Sequence, residues 1–201
     1  MKLSEKNKEK FKTILITLGL KFVHYLQDTL KNKWNKSKNE KDEERFTEVV
    51  KWKFSPNFSS RTNSEIDAII IHHTGPGGIK AAISWCESKK SKVSYHYLID
   101  RDGNIYQMVK DENKAWHVGV SLLGTQKNVN KFSIGIALEG EGKEEFTEKQ
   151  YQEVAFLCKV LKRRYSKITD ERIVGHKDVA PGRKIDPCPW DDEKFRKLLK
   201  N

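Results

Sequence analysis

The chain has little cysteine, and what it has is not arranged as a disulfide framework. Three cysteines occur in 201 residues, and an odd number at wide spacing argues against a small scaffold held by disulfides. A chain of this length can bury a core large enough to fold without such bonds. Cys86 and Cys158 lie in segments with the periodicity of amphipathic helices, so we expect buried, inert thiols there.

Long apolar runs are also scarce. A membrane-spanning helix needs about 20 predominantly apolar residues, and the clean run at 13–20 is far shorter. No alanine precedes Ala68 and no cysteine precedes Cys86, so the basic, partly apolar start lacks an A-x-A cleavage site and a lipid-modified cysteine. Two interpretations of residues 11–30 remain: an uncleaved export or membrane-surface anchor, and a helix docked on the domain or on a partner.

Basic residues outnumber acidic ones, 39 to 28. The formal net charge is +11, which predicts an anionic partner such as nucleic acid, a membrane surface or an anionic cell wall. A nucleic-acid binder would show a strongly salt-dependent affinity. Because the sequence contains no Arg-rich helix with interleaved aromatics, we expect no nucleic-acid partner.

The pattern along the chain predicts two parts. Residues 1–50 are expected to form an N-terminal helical or membrane-associating extension and linker, and residues 51–201 the main domain. In that domain the apolar run Ile66–Ile71 is typical of a buried strand, and Asp-Gly at 102–103 predicts a hairpin. Thr147 and Gln150 form a capping box for a helix. This alternation predicts an α/β fold, a mixed central β-sheet with helices packed on its faces.

Polar residues directly follow several of the predicted strands. His72 follows one apolar strand and Glu139 ends another, while His176 opens a run that continues through Asp186 and Cys188. A catalytic zinc ion takes three protein ligands and keeps a fourth position for water. Two histidines with a carboxylate or a thiolate would suit it. The close H-E-x-x-H spacing is absent, so the residues alone leave open a buried core His72 and a loop His176 without metal.

Five blocks of sequence, in order, carry a family resemblance: IDAIIIHHTG, VSYHYLIDRDGNIYQMV, KAWHVGVS, FSIGIALEG and GHKDVAPGRKIDPCPW. Together they resemble the type-2 N-acetylmuramoyl-L-alanine amidases, relatives of peptidoglycan recognition proteins and of amidase-type phage lysozymes. The resemblance runs from about Glu65 to Trp190 and does not include residues 1–50.

The resemblance implies a zinc enzyme that cuts the amide bond between the lactyl group of N-acetylmuramic acid and L-alanine in peptidoglycan or muropeptides. It implies Zn²⁺ bound by His72, His176 and Asp186. Cys188 is the alternative third ligand, because other members place a cysteine at that ligand position. His73, whose side chain would point to the opposite face of the strand, is expected to be structural.

The resemblance also implies roles around the metal. Glu139 matches the acidic residue proposed as general base, Lys184 would stabilise the oxyanion, and Tyr95 stands where the phage lysozymes have a catalytic tyrosine. The expected substrate contacts are Trp116, His117 and Arg183. A purely structural role stays open for Tyr95 and Trp116, and simple solvation for Arg183.

A non-catalytic peptidoglycan-binding protein is the alternative function, since relatives that have lost a zinc ligand only bind the wall. In this sequence every ligand position is filled, which favours catalysis. The apolar N-terminal segment favours a location in the cell envelope, periplasmic or membrane-associated, with a cytoplasmic location as the alternative. Cell-wall turnover or muropeptide recycling and a phage lysin both fit the sequence.

Overall fold

The computed structural model describes residues 5–62 and 64–201, without the side chains of residues 5–20, 22 and 35. Two compact units are bounded as Met1–Arg45 and Phe46–Asn201. The helices are α1 (Glu5–Val49), α2 (Gly78–Glu87), α3 (Glu148–Arg164), α4 (His176–Val179) and α5 (Asp192–Lys200). The strands are β1 (Val50–Trp52), β2 (Phe58–Ser60), β3 (Ala68–His73), β4 (Tyr97–Ile99), β5 (Ile105–Gln107), β6 (Asn113–Ala115), β7 (Leu122–Leu123), β8 (Gln126–Lys127), β9 (Ser133–Leu138) and β10 (Ile173–Gly175).

A six-stranded mixed sheet forms the centre of the second unit, in the order β1-β5-β4-β9-β3-β10. Strand β3 pairs in parallel with both β9 and β10, and the β4–β5 pair is antiparallel. This confirms the predicted mixed sheet and the hairpin at the Asp-Gly turn. The two longest strands of the sheet, β3 and β9, are buried throughout except at His73, as expected for parallel strands covered on both faces.

The two faces of β3 have different roles because successive side chains alternate across a strand. Ile69 and Ile71 pack into the larger core with residues of α3 and α5. Ile70 points the other way, into a smaller cluster that includes Val118 and Val179. His72 therefore lies on the face opposite α3 and α5, next to the carboxyl end of the strand, which is where clefts form in such sheets.

Helix α3 begins where the sequence predicts. Thr147 accepts a hydrogen bond from the Gln150 backbone N–H, and the Gln150 side chain accepts one from the Thr147 backbone N–H, which confirms the capping box. Asp191 caps α5 in the same way, through the Lys194 N–H. Both helices bring apolar faces onto one side of the sheet and leave its other side for the cleft.

Two predicted strands are shorter in the structure. The sequence predicts Val93–Ile99 and Asn104–Val109, whereas β4 and β5 span three residues each. The start of the first segment is engaged elsewhere, because the Ser94 N–H donates to the Trp116 carbonyl. The β2–β6 and β7–β8 pairs, together with β1, were not predicted, since two- and three-residue strands carry no readable alternation.

The first unit contains most of α1, so the helix continues through most of the segment predicted as an extension and linker. Its described apolar side chains Val23, Tyr25, Leu26, Leu30 and Trp34 are exposed. The side chains of residues 11–20, on which much of the predicted membrane-surface contact depends, lie outside the description. Within the described residues, no helix combines the length and the apolar character that crossing a bilayer requires.

Arg61 joins several segments of the second unit. Its buried guanidinium donates to the carbonyls of Asp111, Asn130, Lys131 and Ser133 at 2.8–3.1 Å. Burial lowers the pKa of Arg61 to about 10, so the side chain is still charged at neutral pH. The planar fork of five N–H donors suits this arrangement, which an ammonium group could not reproduce.

We predict that Arg61→Met lowers the free energy of unfolding by about 3 kcal/mol or more, because buried carbonyls lose their donor. Arg61→Lys, which keeps the charge but not the fork, should fall between wild type and the Met variant. Urea unfolding followed by circular dichroism measures both. Equal stability of wild type and the Met variant would contradict the stabilising role of the Arg61 hydrogen bonds.

Candidate metal site and cleft

Three buried side chains meet at the carboxyl end of β3. His72 lies on β3, His176 opens the short helix α4 directly after β10, and Asp186 lies in the following loop. Because β10 is the parallel neighbour of β3, the ends of both strands deliver their histidines to the same place. The Lys177 N–H donates to the Asp186 carbonyl at 2.8 Å, which holds the loop against α4.

The ligand-type atoms of these three residues form a nearly equilateral triangle. His72 Nδ1 lies 3.1 Å from His176 Nδ1 and 3.0 Å from Asp186 Oδ2, and His176 Nδ1 lies 3.1 Å from the same oxygen. Two ligands of a tetrahedral zinc ion, each about 2.0–2.1 Å from the metal, lie about 3.3 Å apart. The spacing of the three atoms is therefore close to that of three zinc ligands.

The protonation of these residues agrees with a cation site. Burial lowers the pKa of His72 to about 4, so its ring is neutral at pH 7. Burial alone would raise the pKa of Asp186, but the two imidazoles beside its Oδ2 lower that pKa below the ordinary value. His176 Nε2 lies 3.2 Å from the Val118 carbonyl, which can only accept, so the lone pair of a neutral ring is on Nδ1. These donors fit a metal ion.

Cys188, the alternative third ligand, lies elsewhere. Its Sγ is 4.0 Å from His73 Nδ1 and 3.9 Å from the Gly142 carbonyl oxygen. Between Asp186 and Cys188 the chain bends at Pro187, so the two side chains do not reach the same place. The described residues that group as a metal site are therefore His72, His176 and Asp186, and the thiol lies with His73.

Glu139, the predicted general base, is held by the backbone. Its Oε1 accepts from the Ile79 N–H in the first turn of α2, and its Oε2 accepts from the Arg101 N–H in the β4–β5 turn, both at 3.0 Å. Glu139 is not among the described residues that line the cleft. In this position its carboxylate stabilises the start of α2, where negative charge is favourable.

A cleft of about 620 Å³ opens beside the metal-type triangle. Lys184 and Tyr95 both line it, together with His176 and Asp186. The Tyr95 ring contacts the His72 ring edge-on, with centroids 5.1 Å apart. Burial raises the pKa of Tyr95, so its hydroxyl keeps its proton and can act as a hydrogen-bond donor.

The three predicted substrate contacts occupy different environments. Trp116 lines the cleft, with its indole N–H donating to Ser59 Oγ at 3.1 Å. Arg183 also lines the cleft, but its guanidinium donates to the carbonyls of Val118 and Val120, both at 2.6 Å. His117 is 6% exposed, and its Nδ1 lies 3.0 Å from His72 Nε2. These contacts make His117 a neighbour of the metal ligand.

Sequence reasoning missed several residues that shape the site. Trp85 on α2 lines the cleft and is 59% exposed, although its helical position gives no sign of this. Asn130 Oδ1 accepts from the N–H groups of His117 and Val118, which orients the segment under both histidine ligands. Ser133 lies 3.3 Å from His117 Nε2. These contacts are tertiary, so no spacing in the sequence could have indicated them.

Gly135 leaves room for the His117 ring. A Cβ at this position of β9 would lie 2.5 Å from His117 Cγ, closer than packed atoms approach. We predict that Gly135→Ala lowers the free energy of unfolding by about 1–3 kcal/mol through overpacking. In the background of His117→Ala the same change should cost much less, because the ring is gone. A double-mutant cycle by chemical denaturation checks this, and strict additivity of the two changes would contradict the contact.

The fold and the site together define a class: an α/β domain with a buried His-His-Asp group at the end of a parallel strand pair. Comparisons with known proteins agree. The sequence profile of the N-acetylmuramoyl-L-alanine amidase family matches residues 62–189. The chain is 38% identical over 156 residues to the 1,6-anhydro-N-acetylmuramyl-L-alanine amidase AmpD of Haemophilus influenzae, covering 69% of this chain and 85% of that protein.

Solved structures give the same result. A selenomethionine AmpD structure superposes with a TM-score of 0.69 at 32% identity, covering 75% of this chain and 94% of that one. The amidase AmiD of Escherichia coli, in complex with the substrate anhydro-N-acetylmuramic acid-L-Ala-D-gamma-Glu-L-Lys, gives a TM-score of 0.61 at 29% identity, covering 70% of this chain and 58% of that one. The chain belongs to the N-acetylmuramoyl-L-alanine amidase family.

Proposed function

We propose that this protein is a zinc-dependent hydrolase that cleaves the amide bond between the lactyl group of N-acetylmuramic acid and L-alanine in muropeptides. The observation that carries the proposal is the triangle of His72 Nδ1, His176 Nδ1 and Asp186 Oδ2 at 3.0–3.1 Å, next to a cleft. Relatives named as amidases, and an AmiD structure with bound anhydro-muropeptide, support the substrate class.

A zinc ion bound by these three residues would supply a water of lowered pKa and polarise the scissile carbonyl. The neutral ring of His72 and the Asp186 carboxylate match the demand that ligands be deprotonated. Lys184 brings a positive charge to the cleft wall beside them, where it would stabilise negative charge developing on the amide oxygen.

Tyr95 lies beside His72 at the cleft, in the position where a general base such as a glutamate would be expected. On β9 the residue paired with His72 is Ala137, which offers no titratable group, and Glu139 is held by two backbone N–H groups. The Tyr95 ring contacts His72 from the cleft side, and its hydroxyl keeps its proton. We therefore propose Tyr95 as a hydrogen-bond donor to the reacting amide, and Glu139 as a cap of α2.

We predict that the purified protein releases free peptide from N-acetylmuramoyl-tripeptide, detected by mass spectrometry. The activity should be lost with a chelator and restored by zinc. Asp186→Ala or His176→Ala should abolish restoration, because two ligands hold zinc poorly. If zinc-loaded protein bound muropeptide without cleaving it, the proposed amidase activity would be contradicted. The alternative, a non-catalytic peptidoglycan-binding protein, would then be favoured.

Lys184→Met should lower kcat by about 100-fold or more, with little change in KM, if the charge acts mainly on the transition state. Lys127→Met is the matched control, because Lys127 is exposed on β8 and should leave kcat unchanged. Steady-state kinetics on the same muropeptide measures both. Equal loss in the two variants would show only a general effect of charge.

Tyr95→Phe should lower kcat by about 100-fold through loss of the donor hydroxyl, while the ring packing against His72 is retained. Glu139→Gln should keep kcat within a small factor and instead lower the free energy of unfolding by about 1 kcal/mol, the usual magnitude of a helix cap. The reverse pattern, with Glu139→Gln inactive and Tyr95→Phe active, would restore Glu139 as general base.

The names of the relatives support a proposal about the preferred form of the substrate. Several are named 1,6-anhydro-N-acetylmuramyl-L-alanine amidases, and we propose that anhydro-muropeptides released during wall turnover are substrates here too.

An envelope location, with the cytoplasm as the alternative, stays a prediction from residues 11–30. Cell fractionation of the full-length chain tests it, and recovery only in the soluble cytoplasmic fraction would reject an envelope anchor.

A further inference from the structure

We propose that His117 is a positioning residue that, together with Ser133, holds His72 in the tautomer that exposes the Nδ1 lone pair to the metal. This inference rests on the proposed metal site and concerns residues to which the comparisons assign no role. It follows from a chain of four buried groups whose hydrogen-bond directions are determined by one carbonyl at its far end.

The chain starts at the Val129 carbonyl, which can only accept. Ser133 Oγ lies 2.7 Å from that oxygen, so its hydroxyl proton points to Val129. Ser133 Oγ also lies 3.3 Å from His117 Nε2. With its own proton committed, the serine oxygen accepts at that contact, so His117 carries its proton on Nε2.

A neutral imidazole has one N–H and one lone pair. The His117 ring is buried, and the partners of its two nitrogens are Ser133 Oγ and His72 Nε2 and not a carboxylate, so a charged ring would be costly there. With the proton on Nε2, His117 Nδ1 is an acceptor, and it lies 3.0 Å from His72 Nε2. His72 therefore donates from Nε2, and its lone pair is on Nδ1, the atom in the metal-type triangle.

The position of the His117 ring is itself constrained on several sides. Gly135 provides the space under the ring, and the His96 ring packs edge-on with centroids 5.6 Å apart. Asn130 accepts the His117 backbone N–H at 3.2 Å. The ring cannot rotate to present its Nε2–H to His72 without losing the Ser133 contact. Such partners of metal-bound histidines set ring orientation and ligand basicity.

The neighbouring residue performs the same task for the second histidine. The Val118 carbonyl lies 3.2 Å from His176 Nε2, and Arg183 donates to the same carbonyl at 2.6 Å. Consecutive residues of one segment thus orient both histidine ligands. Val118 acts through its backbone, so His117 is the position where a substitution tests the arrangement.

The first experiment measures zinc affinity of the full chain by competition with a chelating dye. His117→Leu removes the acceptor, and we expect affinity to fall by about 10–100-fold. His117→Asn puts an amide oxygen close to where Nδ1 lies and should stay within about threefold of wild type, given the same scale of effects. Ser133→Ala frees the His117 tautomer and should give an intermediate loss. His24→Leu, at an exposed position of α1, is the control.

A merely structural role would give a different pattern. The Leu and Asn variants would then lose thermal stability without zinc, and their zinc affinities would be equal to each other. Equal affinity of wild type and His117→Leu would overturn the proposal. If wild type itself bound no zinc, that result would reject the metal site and with it the proposed function. It is distinct from a loss of affinity seen only in the His117 variants.

The second experiment observes the tautomers directly and does not depend on variants that fold. Imidazole ¹⁵N spectra of the zinc-loaded wild-type chain should show His117 protonated on Nε2 and unprotonated on Nδ1. A His117 ring protonated on Nδ1 would overturn the proposal, because that nitrogen could not then accept from His72.

Discussion

Three potential metal-ligand atoms, two imidazole nitrogens and one carboxylate oxygen, are buried together within 3.0–3.1 Å of one another. If both Nδ1 atoms carry lone pairs, as the Val118 carbonyl and the proposed role of His117 require, this arrangement needs a cation, because buried acceptors repel one another and lack donors. The surrounding fold keeps them there. Parallel pairing of β10 with β3 brings the two histidines together, and hydrogen bonds from their outer nitrogens keep both rings turned inward.

The sheet explains why the site lies on one face. Alternation along β3 sends Ile69 and Ile71 into the core formed with α3 and α5, while His72 points the other way. On the neighbouring strand the same face offers the small residues Gly135 and Ala137. One leaves room for the His117 ring, and the other leaves the space beside His72 to Tyr95. The small side chains at these two positions therefore determine which larger side chains lie next to His72.

The sequence predicted the parts of the molecule that have local signals. The buried strand before His72, the capping box at Thr147 and the hairpin at the Asp-Gly turn all follow from neighbouring residues, and the structure confirms them. The family resemblance singled out His72, His176 and Asp186, and the structure brings these three together. Their role as zinc ligands stays a prediction.

Other features could not be predicted because they depend on tertiary contacts. The environment of Glu139 is set by backbone N–H groups of α2 and of the β4–β5 turn, which lie far from it in sequence. The direction of Cys188 depends on a bend at Pro187, and the burial of His117 depends on Gly135 of β9. Such dependence is general, since a motif identifies candidate residues and only the packing decides which atoms meet.

X-ray absorption spectroscopy of the zinc-loaded chain at the zinc edge identifies the ligands of the metal and so tests whether His72, His176 and Asp186 bind it. We predict a four-coordinate ion with two imidazole nitrogens and oxygen ligands at about 2.0–2.1 Å, and no sulfur. A sulfur ligand at about 2.3 Å would place Cys188 in the site in place of Asp186. A shell of oxygen ligands without imidazole scattering would contradict the proposed site as a whole.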